Sequence, residues 1–181
     1  SSKIPLVLID RKIDKQMPGV FFENFYSSYG VIEKFIKLGK KKIGFLAGPQ
    51  TISTAKERLD GYKKALKDNG IKYDKKLVLY GDFTLESGYN LGKEILKREI
   101  NAIYISNNSM TLGFLKALKE LNINPESMEI ATFEDNEIIR FIDEKIVSYD
   151  IPFSELSKKS IEILESLLKN DTSDTTVEIN L

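Results

Sequence analysis

Short apolar segments rich in β-branched residues alternate along the chain with longer segments of helical period, and this alternation constrains the fold most strongly. The predicted strands cover residues 5–10, 19–23, 42–48, 76–82, 102–106, 129–133, 145–150 and 175–181. Nearly continuous apolar strands that are connected by helices favour a parallel sheet with helices on both faces. The sequence therefore predicts an α/β fold of the doubly wound, Rossmann-like kind.

Charge and composition exclude several classes of protein. Lys plus Arg and Asp plus Glu both number 27, so the chain lacks the basic surplus expected of a surface for DNA or anionic lipid. Cysteine and histidine are both missing, which removes thiol chemistry, the commonest general base and the commonest metal ligand. Neither a membrane span nor a signal peptide is visible in the sequence. We expect a cytoplasmic binding protein with no catalytic residues, cofactor or metal.

Polar residues and one aromatic residue follow successive predicted strands. Ligands of open parallel sheets bind beyond the carboxyl ends of the strands, so these residues are the candidate binding site. They are Asp10, Thr54, Arg58, Phe83, Asn107 and Glu134. An arginine fork, carboxylates, amides and an aromatic face together suit a small ligand rich in hydroxyl groups.

Each of these residues also has a purely structural interpretation. Asp10 could cap a turn, and Thr54 could serve the start of its helix. Arg58 could lie on the solvent face of the helix, and Phe83 taken alone could be a core residue. Their recurrence at successive strand ends is what favours the binding interpretation.

An enzyme remains an alternative only through acidic residues. The sequence contains neither a dinucleotide-binding Gly-x-Gly-x-x-Gly turn nor a Gly-x-x-x-x-Gly-Lys phosphate loop. Magnesium chemistry that uses only carboxylates stays open, with Asp10, Asp82, Glu134 and Asp135 as its ligands.

A family resemblance is carried by six segments that occur in the order IPLVLIDR, LGKKKIGFLAGP, AKERLDGYKKAL, GDFTLESGY, IYISNNSMTLGFLKAL and IATFEDNE. Together they resemble the effector-binding domain of the lactose/galactose repressor (LacI/GalR) family of bacterial transcription regulators. The resemblance implies a periplasmic-binding-protein-like type I fold, in which two α/β lobes hold the ligand in a cleft. It also implies a homodimeric repressor that binds a sugar, or less often a nucleobase, and operator DNA.

The resemblance assigns ligand contacts residue by residue. Thr54 and Arg58, one helical turn apart, match the hydroxyl and the arginine that hold effector hydroxyls. Asp10 matches an acidic residue at a strand end of the N-terminal lobe. Phe83 matches the aromatic residue that stacks on the ligand.

Two positions of the candidate binding site depart from the family pattern. Asn107 matches the asparagine of an Asn-Asp pair, but Asn108 stands where aspartate is usual, which removes one negative charge. Glu134 stands where aspartate is usual, and its carboxylate reaches one methylene further. These changes leave the family assignment intact, but with them the resemblance no longer identifies the effector.

The resemblance also predicts how the chain divides. Residues 1–23 and 152–170 are expected to form part of the N-terminal lobe, and residues 24–148 with 175–181 a complete C-terminal lobe. The resemblance implies a helix-turn-helix head that binds operator DNA, and we expect this head to be absent from the present sequence. Effector binding in the cleft is expected to change lobe closure and so the affinity for DNA. A periplasmic-type sugar-binding protein of a transport system is the alternative.

Overall fold

The computed structural model describes residues 4–13, 16–134, 137–142, 144–149, 151–169 and 175–179. In chain order its elements are β1 (Leu8–Ile9), β2 (Gly19–Phe22), α1 (Asn24–Lys37), β3 (Ile43–Ala47), α2 (Ser53–Asp68), β4 (Val78–Tyr80), α3 (Leu85–Ile95), β5 (Ala102–Ile105), α4 (Asn108–Glu120), β6 (Glu129–Glu134), α5 (Glu137–Ile142), β7 (Val147–Tyr149), α6 (Phe153–Leu168) and β8 (Thr176–Ile179). They form two compact units, Asn24–Asp150 and a smaller unit of Ser1–Glu23 with Ile151–Leu181. All described strand pairs are parallel, which confirms the predicted α/β class.

The larger unit is built on a sheet in which the described strands are ordered β4-β3-β5-β6-β7. On one face Phe45 stacks between Tyr104 of β5 and Tyr62 of α2, with both ring-centroid distances at 5.2 Å. Leu46 and Ile105 alternate to the opposite face and join the core formed with α3 and α4. Apolar side chains on both faces explain why these strands read as continuous apolar segments.

Helices α3 and α4 approach each other closely because both carry a glycine at their crossing. A Cβ atom at Gly88 would lie 2.1 Å from the carbonyl oxygen of Met110, and one at Gly113 would lie 2.1 Å from that of Leu85. Only glycine permits backbones to come this near. The crossing fixes the start of α4 beside the turn that leads into α3, and both of these segments carry predicted site residues.

The smaller unit has a sheet in which the described strands are ordered β1-β2-β8. All four residues of β2 are buried, and α6 packs on this strand. Leu156 and Ile163 supply buried side chains of α6, and the rings of Phe22 and Phe153 meet edge to face at 6.5 Å. The unit therefore has its own core.

One predicted boundary is wrong. Residues 175–181 were expected in the larger lobe, but β8 pairs with β2, with Phe22 opposite Ile179, and so belongs to the smaller unit. A short strand of alternating burial can extend either sheet, and its own residues do not determine which edge it joins. The first strand is also shorter than predicted, since pairing with β2 begins only at Leu8, whose amide donates to Pro18.

Within the described ranges, no helix combines the length and the apolar character that are needed to cross a bilayer.

Candidate functional site

Arg58 is a buried cation at the carboxyl edge of the larger sheet, by which we mean the residues at or just beyond the carboxyl ends of β3, β4, β5 and β6. Only 6% of its surface is exposed. Its Nε donates to Asn24 Oδ1 at 2.8 Å, and its Nη1 donates to the carbonyl oxygen of Ser106. The guanidinium carbon lies 3.2 Å from the centroid of the Phe133 ring. Arg58 therefore does not lie on the solvent face of α2.

These contacts fix a permanent positive charge in one orientation. Burial of an ion is costly unless hydrogen bonds replace its hydration, and arginine stays protonated in proteins. The amide oxygen of Asn24, a backbone carbonyl and an aromatic face each stabilise the guanidinium without neutralising it. Ser28 adds a hydrogen bond of 2.6 Å from its hydroxyl to the carbonyl oxygen of Arg58 and so ties α1 to α2 at this point.

Thr54 lies one helical turn before Arg58, in the first turn of α2, and is 3% exposed. The residue at the cap position of this helix is Ile52, and no side chain caps it. Thr54 is therefore not the N-cap residue of α2, although its hydroxyl could have served that role. Residues four apart lie on the same face of a helix, so its side chain and that of Arg58 share a face of α2.

Phe83 and Asn107 are joined directly. Asn107 Nδ2 donates to the carbonyl oxygen of Phe83 at 3.0 Å, while its Oδ1 accepts from the amide of Met110 at 3.1 Å and caps α4. The Phe83 ring lies against Gly48, where a Cβ atom would come within 2.1 Å of the ring. The residues after β3, β4 and β5 thus meet at one place.

Glu134 ends β6 and is half-buried next to Phe133 in sequence. The structure therefore brings Thr54, Arg58, Phe83, Asn107 and Glu134 to the carboxyl edge of one sheet. Asp10 belongs to the smaller unit, where it directly follows β1 with a φ of 67° and its amide donates to the carbonyl oxygen of Val20 at 2.9 Å. Its part in a shared site stays a prediction.

The acidic residues proposed for magnesium do not form a cluster in the described part of the chain, where no group of three or more His, Cys, Asp or Glu side chains is placed to hold a metal ion. Asp82 instead accepts from the amide and the hydroxyl of Thr84, at 3.0 Å and 2.7 Å. These hydrogen bonds lower the pKa of the Asp82 carboxyl. Asp135 lies outside the described residues.

The model of the protein family described as "periplasmic binding protein-like domain" matches residues 32–181 of this chain. The chain belongs to this family. The HTH-type transcriptional regulator AscG of Escherichia coli (strain K12) is 30% identical over 161 residues, which cover 87% of this chain and 48% of AscG. The crystal structure of the transcription regulator CcpA of Lactococcus lactis has a TM-score of 0.89 at 27% identity, covering 97% of this chain and 66% of that one. A complex of the transcriptional regulator CelR with cellobiose has a TM-score of 0.88 at 25% identity, covering 96% of this chain and 55% of that one.

These relatives confirm the resemblance to LacI/GalR effector-binding domains. The chain spans about half the length of the curated relatives it matches, with 48% of AscG covered. The matched region is therefore one part of a longer chain in those relatives.

In this member of the periplasmic binding protein-like family, Asn108, which follows Asn107, takes part in a hydrogen-bond network at the carboxyl edge of the sheet. Asn108 Oδ1 accepts from the hydroxyl of Thr132 at 3.2 Å, and Thr132 accepts in turn from Thr111 at 2.9 Å. The buried hydroxyls of Thr111 and Thr132 thereby have partners without a charged group.

Sequence reasoning missed four residues that hold the site in this family member. They are Asn24, Gly48, Ser106 and Phe133. Three of them stand at strand ends, so the rule that located the site could have included them. Asn24 gave no such signal, because it begins a helix 34 positions before Arg58 and meets it only in the folded chain.

Proposed function

We propose that this chain is the effector-binding part of a DNA-binding transcriptional repressor, and that its effector is a sugar rather than a nucleobase. The observation that supports this most is the buried guanidinium of Arg58, held on the Phe133 ring at the carboxyl edge of the sheet. The named relatives are transcription regulators, and the CelR neighbour was solved with cellobiose. Both facts favour this role over a sugar receptor of a transport system.

The chemistry of the site suits a polyhydroxylated ring. A guanidinium donates hydrogen bonds in fixed directions, so Arg58 can bind two neighbouring hydroxyl groups at once. The hydroxyl of Thr54 and the carboxylate of Glu134 supply further donors and acceptors, and Phe83 offers an aromatic face for the C–H surface of a sugar. Asp10 is a further expected contact from the smaller unit. Because the named relatives are transcription regulators, we propose binding without catalysis.

Regulation follows from differential binding. An effector that binds one conformation of the full-length repressor more tightly than another shifts the population toward that conformation, and with it the affinity for operator DNA. The equal numbers of acidic and basic residues, 27 of each, agree with DNA contacts made outside this sequence. We expect the full-length protein to act as a homodimer in the cytoplasm.

Thermal unfolding of the 181-residue chain with cellobiose, glucose, ribose, adenine and guanine tests this function. At a free ligand concentration of about one hundred times Kd, binding stabilises by ~2.7 kcal/mol. For a chain of this size that corresponds to a rise in Tm of roughly 5–10 °C. A rise with a sugar and none with the bases is expected.

Variants of Arg58 assign the response to the site. Arg58→Ala should abolish the rise, and Arg58→Lys, which keeps the charge but loses the planar fork, should weaken it strongly. Arg98→Ala is the matched control, since the Arg98 guanidinium pairs with Glu94 within an exposed turn and touches no site residue in the described contacts. An undiminished ligand response in both Arg58 variants would remove Arg58 from the site.

A further inference from the structure

Phe83 has a backbone conformation that is unusual for a bulky residue. Its φ is 70°, in the left-handed region that glycine, asparagine and aspartate occupy far more readily than phenylalanine. The residue follows β4 by three positions and precedes α3 by two. A conformation of this kind persists only where surrounding contacts hold it.

Asn107 is one of those contacts. Its Nδ2 donates to the carbonyl oxygen of Phe83 at 3.0 Å, and its Oδ1 accepts from the amide of Met110 at 3.1 Å. Because both ends of the amide are engaged, its plane is fixed by the first turn of α4. The peptide that follows Phe83 is thereby tied to the end of β5.

Gly48 is the second contact. An added Cβ atom there would lie 2.1, 2.2 and 3.0 Å from the Cζ, Cε1 and Cε2 atoms of Phe83. The far edge of the ring therefore rests on the backbone just after β3, where any larger residue would displace it. Gln50 donates to the carbonyl oxygen of Gly48 at 2.8 Å, which holds that backbone in place.

We propose that Gly48 and Asn107 are positioning residues, which set the plane of the Phe83 ring so that it can stack on the ring face of the effector. The inference rests on the proposed function, since it concerns how that site selects a cyclic ligand. Phe83 also packs against the core of α3 and α4. A role in packing alone would affect stability, whereas positioning also affects the affinity for ligand.

A double-mutant cycle between Gly48→Ala and Phe83→Leu separates the two roles. Cellobiose, glucose and ribose are titrated by calorimetry into the 181-residue chain, and the probe that binds best is carried through the cycle. Gly48→Ala alone should lower its affinity by about tenfold, because the displaced ring loses its stacking contact. In the Phe83→Leu background the same substitution should change affinity by less than about twofold.

A control separates lost stability from lost positioning. Gly70 has a φ of 69° but no atom within 4 Å of an added Cβ, so Gly70→Ala strains the backbone away from the site. It should lower the urea midpoint and leave affinity unchanged. Asn107→Ser, which keeps a capping oxygen but loses the donor to Phe83, should lower affinity like Gly48→Ala and likewise have little effect with Phe83→Leu.

Each outcome decides the matter. If the wild-type chain binds a probe but Gly48→Ala binds equally well, positioning is refuted while the proposed function stands. Equal losses in both backgrounds would make Gly48 independent of the ring and refute the inference in the same way. If the wild-type chain binds none of the probes, the proposed function fails and the positioning role fails with it. Any coupling between Gly48→Ala and Phe83→Leu that is then measured in the urea midpoints reports packing alone.

Discussion

Replacing Asn24 by alanine tests whether the buried guanidinium is held as described. Asn24 is 1% exposed at the start of α1, and its Oδ1 accepts from Arg58 Nε at 2.8 Å. Asn24→Ala removes the acceptor of this hydrogen bond to a buried charged group. The hydrogen bond to the carbonyl of Ser106 and the contact with the Phe133 ring remain.

The expected cost follows from that geometry. A hydrogen bond to a charged group contributes about 1.5–3 kcal/mol. We therefore expect Asn24→Ala to lower the free energy of unfolding by about 1.5–3 kcal/mol, and Tm by roughly 3–12 °C for a chain of this length. Asn24→Asp keeps an acceptor beside the cation and should lose much less stability.

Urea unfolding, monitored by far-ultraviolet circular dichroism, measures the loss in free energy of unfolding. The midpoints are compared only if the m-values of the variants are equal. Asn90→Ala is the matched control, since Asn90 is an exposed residue within α3 and alanine favours helix. Surface substitutions usually change the free energy of unfolding by less than about 0.5 kcal/mol. A loss that small for Asn24→Ala would refute the claim that Asn24 stabilises the buried guanidinium.

Three further predictions concern the larger unit. Gly88→Ala should destabilise by roughly 1–3 kcal/mol in urea unfolding, because its Cβ would lie 2.1 Å from the carbonyl oxygen of Met110; an unchanged midpoint would contradict the close crossing. Phe133→Leu should weaken sugar binding in calorimetry, because it removes the aromatic face beneath the buried arginine; unchanged affinity would show that the face is not needed. Thr84 lowers the pKa of Asp82, so the stability that this carboxylate adds is present above the unfolded pKa of about 3.9 and is lost as pH falls through the lower folded value. Asp82→Asn should therefore flatten the fall of the urea midpoint between about pH 5 and pH 2, and an equally steep fall would exclude this carboxylate as a cause.

Much of the fold was predictable from local pattern. The eight strand segments were located, with shifts at their ends, because apolar alternation and breaker residues act over a few neighbouring positions. Thr54, Arg58, Phe83, Asn107 and Glu134 could be singled out because the ends of parallel strands lie along one edge of a sheet. The rule depends on position along the chain, so it selects strand-end residues whatever their contacts.

Contacts between distant residues could not be predicted in the same way. The sequence also allowed Arg58 to lie on the solvent face of its helix, since the neighbouring residues Lys56 and Glu57 are charged. Its burial depends on Asn24 and Phe133, which lie 34 positions before it and 75 positions after it in the printed sequence. The left-handed backbone of Phe83 likewise depends on Asn107 and Gly48 rather than on its own preference.

The sequence by itself determined that this protein is a parallel α/β structure with its polar groups at strand ends, because secondary structure and alternation are set by short-range sterics and by the burial of apolar faces. The tertiary structure alone decided that β8 joins β2, that Arg58 is buried, and that Phe83 rests on Gly48. The physical reason is that strand partners, buried charges and strained backbones are stabilised by residues far apart in the chain, whose proximity exists only after folding.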